Sequence, residues 1–271
     1  MENKVAVIMS LYHLDDPEYL RESLDSLINQ TERLSILLYQ DGPINDALSE
    51  VLTEYRLNDI IIVKSDKNQG LAHALNKLIE LALSLKFDYV ARMDSDDICL
   101  PDRIEKQVEF LDANKDVDIL GGCCSEFGAS YALDYKSVPL DHSDILNSAI
   151  TRCPIIHPSV MFRASIFDHG YRYPEDTSFT EDMALWLLLL SKDFKFSNLP
   201  DVLIKYRINE DTVSRRKGIK KGWSEFKLRF IYMIKLRRIS LKNTTLIFSR
   251  LVFHILPVSA IKFAYDRLRS F

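Results

Sequence analysis

The chain of 271 residues has only four cysteines, Cys99, Cys123, Cys124 and Cys153. They form no CxxC pair and no evenly spaced framework, and the vicinal pair is a poor disulfide. That excludes a disulfide-stapled scaffold and leaves reduced thiols of a cytosolic protein. No Walker lysine loop and no GxGxxG occur, so kinase and dehydrogenase readings lack their phosphate cradles. Long apolar runs are missing too. The longest uncharged stretch at the C-terminal end, Leu251 to Ile261, has eleven residues and contains Pro257, against the roughly 20 that a bilayer span needs. The opening MENKVAVIMSLY has neither the apolar core nor the small-residue cleavage site expected of a signal peptide. Acidic residues are almost absent from one region. Arg215 to Phe271 holds 15 Lys and Arg against Glu225 and Asp266 alone, whereas Met1 to Ser214 holds 20 against 37 Asp and Glu. Such polarity points to a basic surface for nucleic acid or anionic lipid.

What is present is ordinary for a soluble globular protein that buries a real core: 47% apolar and 27% charged residues, in a length that holds one large α/β domain with additions or two small ones. "KVAVIMS" reads as a buried strand. Asp16 caps a helix that starts at Pro17 and carries the apolar stripe Leu20, Leu24, Leu27 and Ile28. "LSILLYQ" is a second strand ending at the turn Asp41-Gly42-Pro43. A helix over 45–56, the strand "DIIIV", a helix over 71–85 and the strand "DYVARM" follow. Strands alternating with helices predict a mostly parallel sheet, and ligands of such sheets sit outside the carboxyl ends of the strands. That rule brings Leu11-Tyr12, Asp41, the loop around Asn68 and the stretch after Met93 to one edge.

The stretch after Met93 is "DSDD". Asp94 and Asp96 flank Ser95, so in an extended strand end both point to one side, and like charges that close need a cation. A hard octahedral ion such as Mg²⁺ or Mn²⁺, bound also to phosphate, satisfies them. A solvated loop or helix N-cap competes with that reading, and it fits Asp97, because a helix starts near Pro101.

Six segments in order, "VAVIMSLYHLDDPEYLRESLDSLINQT", "LLYQDGP", "NQGLAHALN", "YVARMDSDDICLPDRIEKQVEFL", "IIHPSVMFR" and "FTEDMALWLLL", resemble glycosyltransferase family 2, the inverting nucleotide-sugar transferases of the GT-A fold. The resemblance covers about residues 4 to 210. It implies a Rossmann-like GT-A domain over 1–214, with 1–100 as the nucleotide-binding half and 101–214 as the acceptor-side half. It places Ser10 and Tyr12 where the first strand meets the nucleotide, Asp41 on the uracil or ribose, and Asn68, Gly70 and Ala72 in the loop beneath the nucleotide. It puts Arg92, Asp94 and Ser95 ahead of the metal position at Asp96, and Asp182 at the general base. An inverting displacement needs such a carboxylate on the acceptor side, with the cation taking up charge on the leaving diphosphate. Glu181 is the rival base, and both acids also suit a helix first turn. His157 and Ser159 lie in the segment between donor and acceptor, though a lone histidine there equally fits the core. Trp186, one turn after Asp182, either stacks under an acceptor ring or packs inside. Relatives often carry a histidine after a Tyr-Arg pair near the domain end. Here Asn209 stands in that place, so Arg207, or Arg215 and Arg216, is expected to bind the diphosphate.

Residues 215–271 combine Trp223, Phe226, Phe230, Ile231 and Ile234 with many lysines and arginines. Basic amphipathic helices with aromatic anchors, too short to span, suit a membrane interface; helices packed on the catalytic domain are the alternative. Nucleic acid has no recognisable module to bind. The membrane reading predicts that cutting near Ser214 frees the catalytic domain from detergent. Taken with the resemblance, these features imply a peripheral enzyme on the cytoplasmic face of the bacterial inner membrane. It would move glucose or galactose from a UDP-sugar to a polyprenyl-diphosphate-linked sugar in O-antigen or other surface-polysaccharide synthesis. A lipopolysaccharide-core acceptor and a non-catalytic scaffold are the rival readings.

Overall fold

The computed structural model describes residues 4–56, 58–177, 179–211 and 218–255, with side chains as far as 251. The first half follows the predicted alternation: β1 (Val5–Leu11), α1 (Pro17–Ile28), β2 (Ser35–Gln40), α2 (Asp46–Glu54), β3 (Ile60–Lys64), α3 (Leu71–Ser84) and β4 (Tyr89–Arg92). Local chemistry sets these boundaries. The Asp16 carboxylate accepts from the N–H groups of Glu18 and Tyr19 at 2.8 and 3.2 Å, and Asn45 Oδ1 accepts from Leu48 N at 2.9 Å, each capping otherwise unpaired helix donors. Then come β5 (Ile98–Cys99), α4 (Arg103–Ala113), β6 (Ile119–Phe127), α5 (His142–Ser148), β7 (Met161–Arg163), α6 (Ser165–Asp168), α7 (Glu181–Leu190) and β8 (Phe196–Arg207). Two further helices, α8 (Ile219–Lys235) and α9 (Leu241–Ile255), follow.

All eight strands form one sheet in the order β3-β2-β1-β4-β7-β6-β8-β5. The β1–β2, β2–β3, β1–β4 and β6–β8 pairs are parallel. β7 runs antiparallel between β4 and β6, and β5 antiparallel to β8. The chain direction of the winding reverses between β1 and β4, which opens a crevice at their carboxyl ends. Side chains of β1 alternate between two cores. Val5, Val7 and Met9 join Leu20, Leu24 and Leu27 of α1, while Ala6 and Ile8 join Leu75 and Ile79 of α3. A strand buried on both faces needs an unbroken apolar run, which is why "VAVIM" has no polar alternation.

α7 is apolar almost all round. Trp186 is wholly buried, stacked on Phe162 at 5.6 Å between centroids and edge-on to His157 and Phe196. Of the two places the sequence allows, under an acceptor ring or inside, it takes the second: it is core. Its buried Nε1–H has no partner, which gives a graded prediction. Trp186→Ala costs about 3–5 kcal/mol by the cavity it leaves. Trp186→Phe costs much less, because it also removes an unsatisfied donor. Urea unfolding measures both; an alanine loss below about 1 kcal/mol would contradict the packing.

α8 and α9 pack on this domain with one face. Met233 and Ile247 are buried in the same cluster as Trp186. Arg229 is buried as well, donating to the carbonyl of Ile150 at 2.6 Å and to Glu225 at 2.8 Å, and Glu225 also pairs with Arg250 at 2.8 Å. Cutting at Ser214 would bare that apolar face and break this buried ion network. The expected outcome is thus the reverse of a cleanly released domain: a truncated protein that melts lower and aggregates, read by thermal scanning. No helix among the described residues is long and apolar enough to cross a membrane. All four thiols are free, with Cys153 exposed and the other three buried.

Candidate active site

The site forms where β1, β2 and β4 end. Beyond β4 the chain turns, and Asp94, Asp96 and Asp97 each bring a carboxylate oxygen within 4.8 Å of the others. α1 secures this turn from behind: Ser23 Oγ donates to Asp94 O at 3.0 Å, and Ser26 Oγ accepts from Cys99 N at 2.9 Å. Asp97 is not the solvated helix-start charge expected of it. The strand β5 intervenes before α4, and Asp97 is wholly buried, one oxygen accepting from Arg207 N at 2.7 Å and the other without any partner. Arg92 lies buried against the cluster, paired through Nη2 with Asp94, while its Nε and Nη1 have no partner. Beneath it Arg103, also buried, donates to the Arg92 carbonyl at 2.9 Å.

Orphaned donors and an orphaned acceptor side by side are costly unless something binds there. An all-oxygen set of three carboxylates suits a hard divalent cation, and the unpaired guanidinium N–H groups suit phosphate oxygens. The residues present therefore fit a divalent ion with a diphosphate.

Without that cation two of these carboxylates, Asp96 and Asp97, titrate high. Burial, then the charge of Asp94, pushes Asp96 up to about 6, and burial followed by Asp94 and Asp96 raises Asp97 well above the usual carboxylate range. A fourth carboxylate, Asp15, was not anticipated from sequence. It accepts from Tyr12 N at 2.9 Å, bonds the Ser95 side chain, and is pushed by burial up to about 7. Because the folded pKa of Asp15 exceeds the free value of 3.8, the folded state binds the extra proton between about pH 4 and 7. Stability from this group therefore falls as pH rises through that window. The expected result is that the cation-free protein melts higher near pH 5.5 than near pH 8, and that Asp15→Asn flattens the slope.

Other expected donor-side residues gather at the same edge. Ser10 is half-buried in β1 and Tyr12 is exposed just beyond it. Asp41 is buried and fully engaged, accepting from Gln69 N at 2.7 Å and Gly70 N at 2.9 Å. It holds the loop before α3 in place. Asn68 donates weakly back to the Asp41 carbonyl at 3.4 Å. Gly70 has φ of +92°, and a Cβ there would meet nothing within 4 Å. The glycine thus serves a left-handed backbone that faces open space. Ala72 is half-buried in the first turn of α3.

Arg207 departs from its expected role as a diphosphate ligand. Its Nε donates to the Asp96 carbonyl at 2.7 Å, its Nη2 pairs with Glu22, and its guanidinium lies between the rings of Tyr19 and Phe127, 3.9 and 4.3 Å from their centroids. It clamps the acidic turn to α1. Arg215 and Arg216 lie outside the described residues. Asn209 accepts from Tyr131 Oη through its carbonyl at 2.7 Å.

Glu181 and Asp182, the expected acceptor-side acids, open α7, both half-buried. Burial raises the pKa of each, and for Asp182 the N–H of Met183, at 2.6 Å from Oδ1, pulls the other way. The Arg92 charge is felt at Asp182, Glu181 and Asp94 alike, so the buried guanidinium acts on the α7 carboxylates and the acidic turn together. His157 Nε2 lies 3.0 Å from the Tyr173 hydroxyl. Burial, then Arg92, pulls its pKa well below 6.5, so the ring is neutral. Ser159 is wholly buried, donating to Ile156 O at 2.8 Å and accepting from Gly122 N at 3.2 Å. It fastens the backbone of β6 and touches no open site, which corrects its expected sugar contact.

Residues 6–170 match Glycosyl transferase family 2. The chain belongs to that family. The glycosyltransferase is 36% identical to the amylovoran biosynthesis glycosyltransferase AmsE of Erwinia amylovora, over 98% of this chain and 99% of that protein. It is 30% identical, over 98% and 96%, to the UDP-Gal:alpha-D-GlcNAc-diphosphoundecaprenol beta-1,3-galactosyltransferase of Escherichia coli. Among solved structures, the mannosyltransferase PcManGT of Pyrobaculum calidifontis, in complex with GDP-Man and Mn²⁺, superposes with a TM-score of 0.64 at 17% identity. That match covers 98% of this chain and 80% of that one. The fold of the transferase is thus the GT-A type.

Proposed function

We propose that this transferase moves a hexose, galactose or glucose, from a UDP-sugar to a polyprenyl-diphosphate-linked N-acetylhexosamine, with inversion, during bacterial surface-polysaccharide synthesis. One observation carries the reading: a three-carboxylate turn and a half-buried Asp182 share the field of a buried arginine with two unpaired donors. The names of the Erwinia and Escherichia coli relatives, matched over almost the whole chain, support the process and the acceptor class.

Asp94, Asp96 and Asp97 would hold Mg²⁺ or Mn²⁺, which when bound neutralises charge on the departing diphosphate. Arg92 offers its free N–H groups to the same oxygens. The loop fixed by Asp41 shapes the floor under the nucleotide, with Gly70 leaving its backbone open. Asp182 takes the acceptor hydroxyl proton; its burial makes it a stronger base than an exposed aspartate. The positive C-terminal segment supports peripheral attachment to the cytoplasmic face of the inner membrane.

A panel of UDP-sugars offered with a synthetic lipid-diphosphate N-acetylhexosamine and Mn²⁺, with product configuration read by NMR, tests this. A β-linked product from one UDP-hexose is expected. Turnover only with a saccharide lacking the diphosphate would defeat it.

A further inference from the structure

α8 carries apolar residues that its packing does not explain. Ile219, Trp223, Phe230 and Ile234 are 76%, 60%, 39% and 50% exposed, and at 100° per residue they fall within about 60° of arc. They lie beside the inward face made by Gly222, Arg229 and Met233. The rings are ordered: Trp223 stacks on Phe226 at 5.5 Å, Phe226 on Phe230 at 6.0 Å, and Phe248 of α9 closes on Phe226 at 5.1 Å.

Charge on this surface has one sign. Glu225 is the sole acidic residue in 218–255, and it is turned inward between Arg229 and Arg250. Lys220 and Lys227 are exposed along the flank of the stripe, and Lys235 is exposed further round the helix. Another side of the N-terminal turns of α8 borders the site. Ser224 Oγ lies 3.4 Å from Thr180 Oγ1, next to Glu181, and Lys221 sits 5.6 Å from the ring of Phe179, itself 79% exposed. The charge of Lys221 is felt at Asp182.

We propose that this aromatic stripe is the face by which the protein lies on an anionic bilayer. Because the N-terminal turns of α8 border Thr180 and Phe179, docking by this face brings the Asp182 end of the site near the membrane while α8 and α9 stay packed on the domain. The proposal deepens the lipid-acceptor reading and rests on it for its purpose, though not for its test. An aromatic stripe flanked by lysines matches a bilayer interface in both parts: rings enter the headgroup boundary and lysines meet anionic lipid. Each basic residue near such a surface is worth roughly fivefold in partitioning.

The chain reports on itself, because it has two tryptophans, of which Trp186 is fully buried and Trp223 is not. Full-length protein is mixed with phosphatidylcholine vesicles with and without phosphatidylglycerol, at low and high salt, using brominated acyl chains as quenchers. Flotation with the anionic vesicles, weakened by salt, with quenching that Trp223→Phe removes, is expected. A Trp223→Ser, Phe230→Ser, Ile234→Ser protein should lose at least about tenfold in partitioning, with unchanged circular dichroism. Its transfer to a short-chain, water-soluble diphosphate acceptor should match native. That last assay separates the two ideas: native protein that turns over the soluble acceptor yet ignores vesicles overturns this proposal alone. A dimer that the triple variant dissolves, or a Trp223 already shielded in solution by residues 256–271, also overturns it.

Discussion

Asp182→Asn lowers transfer by about a thousandfold, within the usual range for loss of a positioned general base, while UDP-sugar affinity stays near native. Asn keeps the shape and its oxygen can still accept from Met183 N, so the start of α7 is preserved. What disappears is the capacity to take a proton. The native pKa of Asp182 is raised, by burial first, and the nearby Arg92 charge restrains the rise; the rate should therefore climb with pH across a limb above the ordinary aspartate range. Asn removes that limb. Glu181→Gln is the control: Glu181 shares the burial, and if the larger loss followed Glu181 instead, the base assignment would move one residue. Weakened donor binding with transfer per bound donor intact would remove Asp182 from the chemistry altogether.

The parallel half of the sheet was legible because each of its strands is a short apolar run between turn signals, and Asp16 and Asn45 announce helix starts by their side chains. The convergence of Leu11, Asp41, Asn68 and Asp94 followed from topology alone. Legibility failed where burial depends on packing that no local pattern encodes. α7 is apolar on every side, so "EDMALWLLLL" gives no face from which to place Trp186 outside or inside. Ser159 looks like a polar residue near a sugar, yet it is spent on two backbone groups of neighbouring elements. Asp97 stands four residues before Pro101, a spacing that mimics a helix start; only the tertiary pairing of β5 with β8 turns it inward. Arg207 shows the same limit from the other side, since its ring and Glu22 partners lie far away in sequence.

The C-terminal helices combine both cases. Their composition displays amphipathic basic helices, but two apolar faces are superimposed in it. One carries Met233 and the buried Arg229 toward the domain, and the other carries Trp223 and Ile234 outward. A single periodic stripe cannot describe both, so packing on the domain and an exposed aromatic face look like rival readings in the sequence, whereas the fold has one face of each kind.

Asp97→Asn tests the acidic turn most sharply. The residue is wholly buried, and burial, followed by Asp94 and Asp96, raises its pKa well above the usual carboxylate value. Asn is nearly isosteric with the protonated acid, and its carbonyl oxygen can keep the bond from Arg207 N, so the cation-free variant should melt at or above native temperature. Its affinity for Mn²⁺, followed by the ion's paramagnetic resonance signal, should nevertheless fall, and transfer should fall by about a hundredfold or more, because an anionic oxygen has left the set. Chelation of divalent ions from native protein should do the same reversibly. A structural role for Asp97 predicts the opposite pattern: lower melting with Mn²⁺ affinity unchanged. Native Mn²⁺ binding in Asp97→Asn alongside loss in Asp96→Asn would reduce the set to two carboxylates, leaving the unpaired Asp97 oxygen without a ligand to explain it.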